Sequence, residues 1–376
     1  MVTKTESPPR AGHLAGGPSA SEARQTIVDA DVHFASDVEA IVRRMPQPYR
    51  KRGWLQPGGT GLANPVGFLR DDAVPPSGGR PGSDPGYMLE HHFEALGVRH
   101  GLLLPDNMLG MGISPDYRYA DAAATAFNDY MLETWLDFAP AGDRFLGSLF
   151  VSHAWPEGAA KEIRRVGGEA RMKQVVMTSA TERPLGHVGY WPIYEAAEEM
   201  GLPVAVHPGA EGRGVTGAPT GAGWPSSYFE WHNGLSQNYM AQINSLVSEG
   251  VFQKFPGLRF VAVEGGYSWL AHLMWRMDKN WKALRETVPW LEEPPSEVIR
   301  RHVRLTTQPV EEPTKPEHLM QVFEMIHAED VLMFSSDYPH WDFDDPYHAF
   351  PSKFNGALRD RVMFRNAAEL YGLELD

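Results

Sequence analysis

Four short stretches of this chain carry side chains suited to holding a cation: "VDADVH" at 28–33, "PVAVHPG" at 203–209, "VEGG" at 263–266 and "FSSDYPHWD" at 334–342. Each begins in an apolar run that reads as a strand. In each the apolar run gives way to a carboxylate or an imidazole. Alternate residues of a strand share a face, so Asp29, Asp31 and His33 read as pointing one way from the first run. By the same parity His207 lies with Ala205 and Pro203, Glu264 with Ala262 and Phe260, and Asp337 with Ser335 and Met333. Carboxylates gathered in one place repel one another and lose hydration. A divalent cation is the simplest neutraliser. Asp31, His33, His207 and Asp337 supply two imidazoles and two carboxylates, a set that suits zinc or manganese with a position left for water or substrate. Taken singly the residues have plainer readings. His207 reads as a turn cap before Pro208-Gly209, Asp337 as a loop or helix cap, and Glu264 as a cap at Gly265-Gly266. Those readings leave unexplained why all fall at the same end of different strands.

The elements that must position these residues are legible as eight near-continuous apolar runs, at 26–33, 100–105, 145–153, 172–179, 202–209, 258–266, 302–309 and 331–340. Such runs mark strands buried on both faces. Helical stretches separate most of them. "WPIYEAAEEMGLP" has Pro192 early and Gly201 at its stop. In "SWLAHLMWRMDKNW" the residues Trp269, Leu270, Leu273, Met274, Met277 and Trp281 share one face, with His272 and Trp275 read as packing residues. Alternating strand and helix predicts a parallel sheet, and eight units predict an α/β (β/α)8 barrel with its chemistry at the C-terminal strand ends. An open doubly wound sheet would place a Gly-rich phosphate loop after the first strand, and "DADVHFAS" has none. The expected organisation is a disordered tail over 1–25 and one barrel domain over 26–376, with a Gly- and Pro-rich loop insertion at about 54–87.

Composition narrows the function classes. The 376 residues carry a formal net charge of −14, which argues against nucleic acid or an anionic membrane as partner. The chain has no cysteine, which removes disulfides, thiolate metal sites and a cysteine nucleophile. The start lacks the apolar run of a signal peptide, and no stretch is long and apolar enough to span a bilayer. A cytoplasmic protein acting on a small molecule is expected, as a possible homo-oligomer.

With these motifs in place, the chain resembles the amidohydrolase superfamily, in the branch similar to aminocarboxymuconate-semialdehyde decarboxylase and γ-resorcylate decarboxylase. The resemblance runs over 26–372 on "VDADVHF", "PVAVHPG", "FPGLRFVAVEGG", "FSSDYPHWD" and the closing "RVMFRNAAELYGL". It implies a distorted barrel with one divalent metal and no organic cofactor. It implies ligands at Asp31, His33, His207 and Asp337, with Asp337 also a proton donor or acceptor. Asp31 stands where the family has His or, in several decarboxylases, Glu. On the sixth strand related decarboxylases carry an acid–base His, and Glu264 stands in its place, so Glu264 is the second candidate for acid–base work. His187, His232 and His340 are weaker substrate-binding candidates. Trp54, Trp191, Trp224, Tyr228, Phe229 and Trp231 are candidates for an aromatic pocket. The expected activity is decarboxylation of an aromatic or conjugated carboxylic acid. The alternatives are hydrolysis of an ester, lactone or amide, and a non-catalytic binding protein on a barrel scaffold.

Overall fold

The computed structural model describes residues 26–55 and 61–374, so the 1–25 segment expected to be a tail lies outside the described residues. Eight parallel strands follow one another around a single sheet: β1 Ile27–Phe34, β2 Val98–Pro105, β3 Phe145–Phe150, β4 Met172–Thr178, β5 Val204–His207, β6 Phe260–Ala262, β7 Val303–Thr306 and β8 Leu332–Met333. The seam between β1 and β8 is closed by Ala30 N–H to Phe334 O at 2.9 Å, His33 N–H to Tyr338 O at 2.6 Å and Asp337 N–H to Asp31 O at 3.1 Å. The result is the expected (β/α)8 barrel.

The connecting helices form because their sequences supply both an apolar face and a start signal. Proline opens the helices Pro156–Val166, Trp191–Glu199 and Pro316–Ile326 within their first two positions, where its missing N–H costs nothing. On the helix Trp269–Leu284 the predicted stripe is buried at Trp269, Leu270, Leu273, Met274 and Met277 and half-buried at Trp281. His272 and Trp275 are exposed instead of packed, because they project from the opposite side of that helix. No helix among the described residues is long and apolar enough to cross a membrane.

The closing motif supports the site from below. Asn366 starts the last helix, Asn366–Tyr371, and its amide donates to Leu332 O at 2.6 Å. Phe334 N–H donates to Val362 O at 2.8 Å. The two-residue β8 is thus held from the helix side as well as by its neighbouring strand.

The long segment after β1 folds back over the C-terminal end of the barrel. Leu69 pairs with His340, Arg70 N–H donates to Pro339 O at 2.9 Å, and Trp341 N–H donates to Phe68 O at 3.2 Å. The loop is therefore stitched to the residues that follow β8, next to Asp337.

Candidate active site

Strand alternation predicts Asp29 beside Asp31 and His33, and the structure corrects this. The register of β1 against β2 slips between Asp29 and Val32, so the period-2 pattern is broken there. Asp29 turns to His92 in the helical turn Leu89–Glu94, at 2.9 Å, and to Ser336. Asp31 and His33 remain together, with His33 Nε2 3.0 Å from Asp31 Oδ1.

His207, the last residue of β5, brings its Nε2 to 3.0 Å from His33 Nε2. Asp337 Oδ1 lies 3.3 Å from His33 Nε2. Asp31, His33, His207 and Asp337 are all buried, and one donor atom from each falls within 4.8 Å of the others. His207 Nδ1–H donates to Pro208 O at 2.7 Å. That bond fixes the tautomer and leaves Nε2 with its lone pair toward the cluster.

The donors fit a divalent cation. Both carboxylate oxygens of Asp31 and Oδ2 of Asp337 are hidden from solvent without a hydrogen bond, an expensive state for a buried carboxylate. Burial pushes the His33 imidazole down, but the Asp31 carboxylate outweighs it and holds the ring at about 9. A spot whose field holds a proton that firmly would hold a cation in its place.

Two of the site carboxylates sit on strained backbone. Glu264 has φ 57° and Asp337 φ 59°, in the left-handed region that costs a non-glycine residue about 1 kcal/mol or more. Glu264 lies two residues past β6, so simple parity with Ala262 does not place it. Its N–H donates to Thr306 Oγ1 at 3.0 Å. Gly265 behind it lies so close to Tyr239 that a Cβ would approach the ring to 2.6 Å. This geometry turns the Glu264 carboxylate onto His207, with Oε2 3.0 Å from Nε2. Burial pushes Glu264 up, but the neighbouring imidazoles, His207 first and then His232, outweigh it and hold the carboxyl below the usual range.

His340 joins the site as an immediate neighbour of Asp337. Its Nδ1–H donates to Asp337 Oδ1 at 2.5 Å, and its Nε2 lies 3.7 Å from Asp106 Oδ1. Burial opposes the charge, but the two carboxylates hold His340 protonated well above its ordinary value. Asp106 is correspondingly held at about 2 against burial, chiefly by His340.

His232 also reaches the site. It lies in the helix Tyr228–Asn233, which Ser227 caps. Its Nε2 is 3.7 Å from Glu264 Oε1 and 3.5 Å from Asp342 Oδ2.

His187 does not join it. Its Nδ1 accepts the Gly189 N–H at 3.0 Å and caps the turn Val188–Tyr190, and its Nε2 meets Arg183. The candidate aromatic set divides similarly. Tyr228 stacks on His232, with Trp231 and Trp341 against it and Phe68 meeting it edge-on. Trp191 packs on Phe255, Trp54 packs at the edge of the core, and Trp224 and Phe229 are exposed.

Three site residues carried no assignment from the sequence. Asp342 lies in the same stretch as Asp337 and His340, and Trp341 precedes it. Asp106 directly follows β2, and the rule that placed the other residues at strand ends applies to it equally.

The profile of the Amidohydrolase family matches residues 28–373. No curated protein matches the chain. Among solved structures, a 2,6-dihydroxybenzoate decarboxylase from Rhizobium superposes with a TM-score of 0.64 at 19% identity, over 93% of this chain and 99% of that one. A 5-carboxyvanillate decarboxylase from Sphingomonas paucimobilis gives 0.65 at 22%, over 93% and 99%. A 5-carboxyvanillate decarboxylase from Novosphingobium aromaticivorans, complexed with manganese and 4-hydroxy-3-methoxy-5-nitrobenzoic acid, gives 0.67 at 19%, over 93% and 96%.

Proposed function

The chain belongs to the amidohydrolase family, and on that premise we propose that it is a divalent-metal-dependent decarboxylase of an aromatic or conjugated carboxylic acid. The observation that carries this reading is the buried convergence of Asp31, His33, His207 and Asp337 at one mouth of the barrel. The aromatic group of Tyr228, Trp231, Trp341 and Phe68 around His232 supports it. So does the likeness to decarboxylases whose structures hold manganese and a benzoic acid. Manganese is the preferred ion, zinc the alternative, and no organic cofactor is invoked.

Asp31, His33, His207 and Asp337 would hold the ion. When bound, it would supply Lewis-acid polarisation of the substrate carboxylate and neutralise charge at the reacting centre. The rest falls to side chains. The C–CO2 bond breaks and its electron pair stays on carbon, which must then take a proton. Burial raises the Asp337 carboxyl, but His340 outweighs it and holds Asp337 below its usual range, so Asp337 would relay the proton, taking it from protonated His340 and passing it to the carbon. Asp337 Oδ1 receives the hydrogen bond of a protonated His340, and its Oδ2 has no hydrogen-bond partner. Burial of the cluster keeps competing water out.

A second reading has one specific observation in its favour. Glu264 is held ionised, so it is fitted to accept a proton rather than to give one. In a hydrolase acting on an ester, lactone or amide, Glu264 would be the base that takes the proton of the attacking water, and a cation held by Asp31, His33, His207 and Asp337 would supply Lewis-acid activation. A substrate screen separates the two. Manganese-loaded protein is incubated with hydroxylated aromatic acids and with their esters and lactones, and CO2 and hydrolysis products are followed in parallel. CO2 release without hydrolysis supports decarboxylation. Hydrolysis without CO2 establishes the second reading. Neither, together with a protein that binds no metal, leaves only a binding role.

A further inference from the structure

Next to the proposed metal ligands stands a second set of donors with its own geometry. His232 Nε2 lies 3.5 Å from Asp342 Oδ2 and 3.7 Å from Glu264 Oε1. These distances are too long for hydrogen bonds. They suit donors that share one ion, because two ligands each about 2.1 Å from a cation sit roughly 3 Å or a little more apart. His232 Nε2 and Asp342 Oδ2 are both hidden from solvent and neither has a hydrogen-bond partner. The imidazole is fixed in place, stacked on Tyr228 at 5.4 Å and tilted against Trp341 at 5.7 Å.

Glu264 connects the two sets. Its Oε2 faces His207 of the first set at 3.0 Å, and its Oε1 faces His232 of the second. A carboxylate with one oxygen toward each of two donor sets is the arrangement of a bridging ligand. Two-metal sites of hydrolytic and transfer enzymes place their ions roughly 3.5–4 Å apart, and such a bridge spans that distance. We propose that His232, Glu264 and Asp342 hold a second divalent cation beside the one bound by Asp31, His33, His207 and Asp337, with Glu264 shared between the two.

Charge gives an independent reason. Asp31, Asp337, Glu264 and Asp342 bring four carboxylates to one mouth. One divalent cation leaves that mouth negative, which opposes entry of a carboxylate substrate. Two cancel the formal charge. The second set is also the more accessible. The side chains of His232, Glu264 and Asp342 are 17, 11 and 14% exposed, against 0–4% for the first set. The second ion would therefore exchange more readily.

This inference rests on the first metal site, and the test separates them. The full chain is stripped by chelator, reloaded with manganese and desalted. Manganese per chain is measured by elemental analysis, and the ions by electron paramagnetic resonance. Two equivalents and an exchange-coupled spectrum are expected for the wild type. One equivalent and an uncoupled spectrum are expected for Asp342→Asn and for His232→Ala, each checked for fold by circular dichroism. A wild type with one uncoupled ion overturns the second site and leaves the first. A wild type with none overturns both. Two ions retained in both folded variants would show that the second ion sits elsewhere, which also overturns the assignment.

Discussion

The Asp29 carboxylate accepts both the backbone N–H and the hydroxyl of Ser336, at 2.9 and 2.6 Å. The first strand thereby clamps the residue immediately before Asp337, whose backbone is left-handed. His92 braces Asp29 from the other side at 2.9 Å. A residue that parity placed beside Asp31 and His33 instead shapes the turn that presents Asp337.

Asp29→Ala removes that clamp and strands the Ser336 N–H and the His92 imidazole in a dry interior. Losing one partner of a buried ionic hydrogen-bond set costs about 3 kcal/mol or more. Urea unfolding should show a loss of that size, and metal affinity should fall with it although Asp29 is no ligand. A variant of wild-type stability with full metal content would remove Asp29 from this role.

His207→Ala should cost the protein the ion shared with Asp31, His33 and Asp337 while the barrel stays folded. The strand ends rest on an apolar core that does not use the imidazole. Elemental analysis should show at least one equivalent lost per chain, with an unchanged circular dichroism spectrum. Full occupancy in the folded variant would mean that His207 is not a ligand.

Asp337→Asn and Glu264→Gln divide the proton chemistry. On the substrate found by the screen, a decarboxylase should lose at least roughly a hundred-fold in turnover with Asn at 337, the usual cost of a missing general acid or base. Glu264→Gln should cost decarboxylation less than Asp337→Asn does. In a hydrolase the order reverses. Metal content is measured alongside, so that loss of the ion is not mistaken for loss of the proton. Wild-type turnover in both variants would place proton transfer elsewhere.

His153 makes stability depend on pH away from the proposed metal site. It is buried after β3, its Nε2–H donates to Ala180 O at 3.0 Å, and burial pushes it down to about 4. The unfolded chain takes up this proton below about 6.5 and the folded one only below about 4. Stability is therefore whole at neutral pH and falls as pH drops through that window. Between pH 7.5 and 5 the loss from this residue should be about 2 kcal/mol. His153→Gln keeps an N–H donor without titrating, and its urea midpoint should fall less over the same interval. Parallel curves for the two proteins would refute the assignment.

Much of the site could be read from residue order because a barrel makes it one-dimensional. The runs at 26–33, 202–209 and 331–340 overlap β1, β5 and β8, and each ends on the same rim whatever lies between. That rule is enough to bring Asp31, His33, His207 and Asp337 into one cluster. It works because parallel strands buried on both faces need apolar residues throughout, so a polar residue at a strand end stands out.

Side-chain direction was not legible in the same way. Parity sent Asp29 to the wrong partner because β1 slips against β2, a slip set by the neighbouring strand and not by local composition. Glu264 and Asp337 adopt left-handed backbone only because Thr306, Tyr239 and Asp29 hold the turns around them. His187 and His232 look alike along the chain. One became a cap on its own turn, and the other was carried by its helix to within reach of Glu264 and Asp342. By itself the sequence determined the strands, their order and the rim that carries the polar residues, since these follow from hydrophobic periodicity. Which polar residues face one another depends instead on register, backbone strain and loop return, none of which has a local signature.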